Sequence, residues 1–464
     1  MSPETPLSAA STDTRDRAAR RFAERLPGEV EKATWPLERL WALRDERLRA
    51  LVRSAQTRSP WHAERLRGVR ADALSGNNLA MLPVMTKSDV MDHWDEIVAD
   101  RRLTLAGVNT QLERIVREGP SLLLGEYLAM ATGGSTGKRG VFVWHVNELI
   151  ESTLAFRRGI QWRVKRDGAR SAPPVRANVS AVSPIHMTTA IRWLTSRDAG
   201  TDGSFSPSQP MPEIVAGLNA LQPELLYAYP SMLGILAAEA RASRLRIRPH
   251  SIWTSAEPLL GEIRSAVEQW LGVPPLNIYA TTECNVMAMA NPPIAGLHVL
   301  EDSCILEPVD ALGSPVPPGV ESAKLLVTNL LNQTFPLIRY EVSDQITFLD
   351  EPNPGPWWGR RIGDVPGRLE DVFTYANGVA VHPVVFASLL RGKSHIVEYQ
   401  VRQTDSGAEV TLCTEGAFET TALARAIEVA LERAGVSTPE VRVVRVDRIP
   451  RHPQTGKLRR FIAN

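Results

Sequence analysis

Residues 132–140 read Thr-Gly-Gly-Ser-Thr-Gly-Lys-Arg-Gly. Four glycines in that stretch let the backbone approach a polyanion closely, and its N–H groups and hydroxyls can hold phosphate oxygens. It is not a Walker A loop, which needs a Gly five places before the Gly-Lys pair and a Ser or Thr after it. Those places hold Thr132 and Arg139. Taken alone, the stretch could equally be a flexible surface loop. Glu283 follows an apolar, strand-like run, where α/β sheets set their ligands. By itself it could be a surface carboxylate, and Asp344 could simply cap a turn. Lys457 stands in a Lys/Arg-rich tail, where a solvated charge is the ordinary reading. His186 alone is more often a satisfied core or surface residue than a site residue. Cys284 adjoins Glu283 and reads as a small buried residue, not a nucleophile. No CxxC or HExxH pattern suggests zinc.

These residues need elements to position them. Helical periodicity runs from about residue 14 to 68, with Leu40, Leu43, Leu48, Leu51 and Val52 on one stripe and Ser59-Pro60 as an interruption. Thr86 reads as an N-cap. The middle alternates short strands at 177–182, 225–229, Ser251–Ser255 and 276–280 with helices at 231–242 and 260–271. That alternation predicts an α/β domain with strands buried on both faces. Lys324–Asn329 and 345–349 add strands. Pro- and Gly-rich text over 350–367 separates a small α+β unit. Within it, Thr404-Asp405-Ser406-Gly407 marks a hairpin, and a helix over 418–434 stops at Gly435.

The chain has 464 residues and a formal net charge of +1, and that length leads us to expect two to four domains. Near-neutral charge argues against nucleic-acid or acidic-membrane partners. No apolar run is long enough for a membrane span, and residues 1–14 carry no secretory pattern. Three widely spaced cysteines suit a reducing compartment. A cytoplasmic enzyme is the expectation, as monomer or homodimer.

The glycine-rich loop resembles the Ser/Thr/Gly-rich signature of adenylate-forming enzymes: acyl-CoA synthetases, peptide-synthetase adenylation domains and luciferases. Six further segments resemble that superfamily's motifs in order. They are Ser183-Pro184-Ile185-His186, Ser255-Ala256-Glu257-Pro258, Tyr279-Ala280-Thr281-Thr282-Glu283, Arg339-Tyr340-Glu341-Val342-Ser343-Asp344, Gly367-Arg368-Leu369-Glu370-Asp371, and Pro450-Arg451 with Thr455-Gly456-Lys457. Leu82-Pro83, Thr86-Lys87, Gly296-Leu297-His298, Glu301-Asp302 and Pro336-Leu337-Ile338 resemble the phenylacetate–CoA ligase-like branch. The resemblance covers roughly residue 38 to the end.

The resemblance implies a large N-terminal adenylate-forming domain of layered sheets and helices plus a small mobile α+β lid. The expected boundaries are a disordered 1–14, an ATP- and acyl-binding domain at 15–366, a hinge at 367–371 pivoting on Glu370, and a lid at 372–464. It implies ATP, Mg²⁺ and a carboxylic acid as reactants, an aromatic or arylacetic acid being the first choice. CoA is the first acceptor and an amine the second; a non-catalytic nucleotide-binding protein on the same fold is a third reading.

Residue by residue, the resemblance gives Glu283 to Mg²⁺ and Thr282 to the α-phosphate. Thr132, Gly133, Gly134, Ser135, Thr136, Gly137 and Lys138 go to the phosphate loop. Ser255, Ala256, Glu257, Pro258, Tyr279, Ala280 and Thr281 line the adenine side, Asp344 and Arg368 take the ribose, and His186, Tyr229 and Ala280 take the acyl group. Lys457 would bridge the attacking carboxylate and the α-phosphate. The sequence departs from the pattern at Ala280, where Gly is usual, at Glu370, where Asp is usual, and after the Arg368 motif, where Phe373-Thr374-Tyr375 stand in place of the usual basic residue.

Overall fold

The computed structural model describes residues 9–132, 140–167, 174–180, 183–195, 202–207, 209–351, 359–366, 373–376, 378–381, 384–390, 396–414, 416, 418–451 and 458–464. The chain opens with helices Ala9–Glu31, Leu37–Arg58 and Pro60–Arg65. The first begins at Ala9, inside the stretch 1–14 whose composition predicts disorder. Its Thr14 hydroxyl donates to the Gly125 carbonyl at 3.0 Å, and the Arg15 guanidinium lies over the Trp193 ring. Those contacts are distant in sequence, so composition alone does not reveal them.

On Leu37–Arg58 the expected stripe is buried at Leu40, Leu48, Leu51 and Val52. Arg44 takes a buried place beside them, with its Nε donating to Asp45 at 2.9 Å. Ser59 and Pro60 end this helix and start the next. The Ser59 hydroxyl accepts from the His62 N–H, and Pro60 supplies the fixed φ suited to a first turn. Thr86 forms a capping box with Asp89.

An eight-stranded sheet organises the middle of the chain. Its order is Arg361–Ile362, Ile294–Val299, Asn285–Asn291, Leu276–Thr281, Ser251–Ser255, Leu225–Ala228, Arg176–Val179, Asp202–Phe205. The last five strands run parallel, and Asn285–Asn291 turns back antiparallel on Leu276–Thr281. Asn285–Asn291 is buried throughout, whereas Arg176–Val179 and Leu225–Ala228 alternate buried with half-buried positions. The expectation of double-sided burial therefore holds for the centre of the sheet, not for that flank.

A second, antiparallel sheet joins Cys304–Val309, Lys324–Asn329 and Tyr340–Val342. The strand expected at 345–349 does not form. Ile346 N–H goes to the Ser322 hydroxyl, Leu349 N–H goes to the Arg361 carbonyl, and only an isolated bridge joins Phe348 to Ile362. These bonds satisfy the backbone without a ladder.

After residue 373 the chain builds its own sheets. Val441–Arg445, Ala408–Thr414, Ile396–Gln403 and Phe461–Ile462 lie side by side, with helices Val384–Leu390 and Thr420–Arg433 packed on them. Thr404 and Gly407 close the expected hairpin: Thr404 N–H donates to the Gly407 carbonyl, and Gly407 N–H to the Thr404 hydroxyl, both at 3.0 Å. Gly435 ends the second helix with φ +97°. One apolar cluster runs from Leu233 and Leu236, on helix Pro230–Arg241, to Tyr399, Leu412 and Ile427. The C-terminal part therefore rests directly on the larger sheet's helices. Among the described residues no helix is long and apolar enough to cross a membrane.

Candidate active site

The carboxyl ends of Arg176–Val179, Leu225–Ala228, Ser251–Ser255 and Leu276–Thr281 share one edge of the sheet, because these strands are parallel. Such an edge is where open α/β sheets bind ligands. The pairing with Asn285–Asn291 shifts where Tyr279 faces Ala288 and Ala280 faces Val286, which leaves Met287 as the extra residue on the second strand. A bulge bends the strand that carries it, and this one lies across from the residues that lead into Thr281-Thr282-Glu283.

The turn after this strand is pinned on several sides. Cys284 N–H donates to the Thr281 hydroxyl at 3.2 Å, and Asn329 Nδ2 donates to the Glu283 carbonyl at 2.9 Å. Asn285 adopts φ +60°, and its Nδ2 donates to the Ser152 hydroxyl at 2.9 Å. Thr282 and Glu283 stay half-buried between these anchors. Burial, with Cys304 and Glu283 adding to it, pushes the Cys284 thiol well above its ordinary range, so it is held as the neutral thiol.

Two expected site residues, distant in sequence, meet here. The Tyr279 hydroxyl donates to Asp344 Oδ2 at 2.8 Å, with both side chains nearly buried. A carboxylate has about four acceptor positions, so Asp344 keeps capacity for further donors. On the nucleotide role that the motif resemblance implies for this pair, Tyr279→Phe should weaken nucleotide binding through loss of this orienting bond, at about 0.5–1.5 kcal/mol. Calorimetric titration with ATP checks this, and unchanged affinity would separate the Tyr279 hydroxyl from the nucleotide site.

Ser255 Oγ lies 2.5 Å from Tyr227 Oη, and Ala256 takes the left-handed region at φ +74°. Glu257 does more than lend its backbone to this turn. Its Oε2 accepts from Ser231 N–H at 3.0 Å, and its Oε1 accepts from Leu458 N–H at 2.7 Å, reaching the C-terminal part. Nothing local in the sequence marks this role.

His186 is half-buried just before helix Met187–Thr195, with its carbonyl accepting from Ala190 N–H. The neighbouring Ile185 carbonyl accepts from Ala131 N–H at 3.3 Å, which ties this segment to the loop-bearing hairpin. Tyr229 is buried in the apolar cluster with Leu226 and Leu233, just before Pro230. Thr132 closes the neck of the glycine-rich loop between strands Tyr127–Ala131 and Val141–His145. Its N–H donates to the Gly140 carbonyl and its hydroxyl accepts from Gly140 N–H, both at 2.9 Å. Gly133, Gly134, Ser135, Thr136, Gly137, Lys138, Arg368, Glu370 and Lys457 lie outside the described residues.

Glu301 and Asp302, read as branch marks, are fully buried fold anchors. Asp302 meets Arg158 Nη2 at 2.7 Å and Arg47 Nη1 at 3.1 Å. Glu301 accepts from Arg360 Nε at 2.8 Å and from Trp41 Nε1 at 3.3 Å. Near residue 367, Asp364 is tied to Arg264 Nη2 at 2.7 Å and to Asn277 Nδ2 at 2.9 Å.

No protein-family model matches the chain. It is 27% identical over 394 residues to a phenylacetate–coenzyme A ligase of Thermus thermophilus, covering 80% of each chain. A Pseudomonas putida phenylacetate–coenzyme A ligase is 32% identical over 170 residues, 35% of this chain and 37% of that one. Among solved structures, 2-hydroxyisobutyryl-CoA ligase in its postadenylation state, with an acyl-AMP bound, superposes with a TM-score of 0.70 at 17% identity. That match covers 93% of this chain and 91% of the other. The same ligase in its thioesterification state, with CoA, gives 0.55.

The chain therefore shares the mixed α/β fold of that adenylate-forming ligase. Its sequence is similar to phenylacetate–coenzyme A ligases over most of its length, in line with the branch its motifs resemble.

Proposed function

We propose that the chain is an ATP-dependent acid–CoA ligase acting on an aromatic or arylacetic acid. The observation that carries this reading is the meeting of Tyr279 and Asp344 beside the Thr282-Glu283 turn at the carboxyl edge of the sheet. The similarity to ligases named for phenylacetate supports the substrate class, and the neighbour solved with CoA supports the acceptor.

In the first half-reaction a carboxylate oxygen attacks the α-phosphorus. The bond from that phosphorus to the bridging oxygen breaks, and pyrophosphate leaves. In the second, the CoA sulfur attacks the acyl carbon, the bond from carbon to the AMP oxygen breaks, and the thiol proton passes to solvent. Both steps depend on positioning and charge stabilisation.

In this proposal Asp344 accepts from the ribose hydroxyls, with Arg368 beside it. Thr282 donates to the α-phosphate, and Ser135, Thr136, Gly137 and Lys138 hold the outer phosphates. Lys457 bridges the attacking carboxylate and the α-phosphate. His186, Tyr229 and Ala280 border the acyl group.

Among the described residues, no three His, Cys, Asp or Glu side chains gather to form a metal cage. Glu283 at the strand end suits the other way of holding Mg²⁺, one carboxylate completed by substrate phosphates and water. Bound there, Mg²⁺ would offset phosphate charge.

The proposed division is a body at 15–366, a hinge at 367–371 and a lid at 372–464. The higher TM-score with a postadenylation structure supports a lid placement belonging to the first half-reaction. The proposed setting is cytoplasmic, with a monomer or homodimer.

An ATP–pyrophosphate exchange screen across aryl, arylacetic, fatty and amino acids tests the reading, followed by mass spectrometry with and without CoA. Exchange with an aryl or arylacetic acid and a CoA-dependent thioester is the expected result. An amide formed without CoA would move the acceptor to an amine, and no exchange with any acid would overturn the ligase reading.

A further inference from the structure

Two described residues flank the segment 452–457, and both are bonded to the body. Arg451 Nη1 donates to the Ser231 hydroxyl at 2.9 Å, and Leu458 N–H donates to Glu257 Oε1 at 2.7 Å. Ser231 and Glu257 are themselves linked, because Ser231 N–H donates to Glu257 Oε2 at 3.0 Å. One carboxylate thus joins the first turn of helix Pro230–Arg241 to the backbone of the C-terminal part. An acid is favoured at a helix N-terminus, where N–H groups lack partners within the helix.

The second face of Arg451 meets its own side. Its Nη2 donates to Glu398 Oε1 at 2.6 Å, and the two side chains are 3% and 1% exposed. Glu398 belongs to strand Ile396–Gln403, in the same C-terminal sheet. A buried charge pair that loses one partner is heavily destabilised. Here the pair sits wholly on the C-terminal side, so it can travel with that side intact. Separation from the body gives up the Ser231 and Glu257 hydrogen bonds, whose groups can take water instead. Apolar packing between Leu233, Leu236 and Tyr399 adds attraction but little directional register.

We propose that Glu257 and Arg451 are positioning residues, forming with Ser231, Glu398 and Leu458 a releasable clasp that selects this placement of the C-terminal part for adenylation. In naming the half-reaction, this rests on the ligase reading given above. Neither residue touches the reacting atoms in this account. They act by fixing both ends of the segment that carries Lys457 in the sequence.

The test uses the full chain. The double variant Arg451→Met with Glu398→Leu removes the buried pair together, so no lone charge is left in the interface. Pyrophosphate release in a single turnover should fall roughly tenfold to a hundredfold, the scale of a small misplacement of reacting groups. Thioester formation from supplied acyl-AMP and CoA should stay within about twofold, with thermal unfolding unchanged. A purely structural contact would slow both half-reactions alike.

Spin labels at Leu312→Cys and Arg442→Cys, with Cys413→Ser, report the placement without substrate. The distance distribution between them should broaden in the double variant and in Glu257→Gln. Unchanged pyrophosphate release, or an unchanged distribution, would overturn the clasp. If the unsubstituted protein adenylates no acid, the ligase reading fails, and the distance measurement still decides whether the clasp holds the two parts.

Discussion

Lys457→Ala is expected to slow acyl-AMP formation by about 10²–10³-fold, the loss typical of removing one donor aimed at developing charge. The carboxylate and the α-phosphate are both anions, and a mobile ammonium between them matters most as the new bond forms. The effect should therefore fall on turnover, with ATP affinity nearly unchanged. Arg451 and Leu458 keep their own bonds to the body whichever residue stands at 457. Circular dichroism should accordingly match the unsubstituted protein. Rapid-quench measurement of pyrophosphate release checks the prediction, and an unchanged rate would remove Lys457 from the mechanism.

The second large effect concerns stability. Asp302→Asn should destabilise the fold by about 3–5 kcal/mol, the cost of stranding a buried charge. Asp302 is fully buried, and its carboxylate faces Arg158 and Arg47. Arg158 is itself nearly buried, so the substitution leaves a guanidinium with no full counter-charge there except the more distant Glu29 at 3.8 Å.

Burial pushes the Asp302 carboxyl up, but the charge and hydrogen bonds of Arg158, with Arg47 and Lys32 behind them, hold it well below the usual carboxylate range. A folded pKa below the unfolded value of about 3.9 means the unfolded chain binds the proton more readily. The contribution is full above about pH 4 and is lost as pH falls below it. Urea unfolding midpoints measured from pH 3 to 7 should show a smaller acid-induced fall for Asp302→Asn than for the unsubstituted protein. Equal slopes would assign acid sensitivity elsewhere. Buried His62 adds a term of the same sign: burial lowers its pKa to about 3, so protonation below about pH 6.5 favours the unfolded chain.

What was legible in the sequence was local. The Thr86 N-cap, the Thr404–Gly407 turn and the Gly435 stop each depend on residues a few places apart, and each forms. Alternation of strands and helices gave the α/β class for the same reason. The strand Asn285–Asn291 is not legible because an apolar run buried on all sides lacks the alternation that marks a half-exposed strand.

The candidate site divided similarly. Tyr279 and Asp344 were legible as motif members, but their hydrogen bond joins residues that only the folded sheet brings together. The motif pointed to the Glu257 turn, yet its side chain's reach to Leu458 depends on how the C-terminal part sits. Glu301 and Asp302 looked like marks of a branch. Their work is to neutralise arginines supplied by distant helices and by the linker region. Residues 284–300 contain no Asp, Glu, Lys or Arg, so the two acids that follow them directly stand out in the sequence.

The tether at Asp364 bears on the mechanics of the whole chain. Arg264 and Asn277 fix that residue to the body, and Phe373 is fully buried on the C-terminal side. Nine residue steps separate these two fixed points, a contour of about 30 Å at full stretch. The C-terminal part is therefore leashed: it can turn about a short radius but cannot drift away. Its local concentration near the strand edge is set by leash length and falls roughly as the −3/2 power once the leash exceeds the span. Residues added between 367 and 372 would dilute the encounter without altering a single contact at either surface.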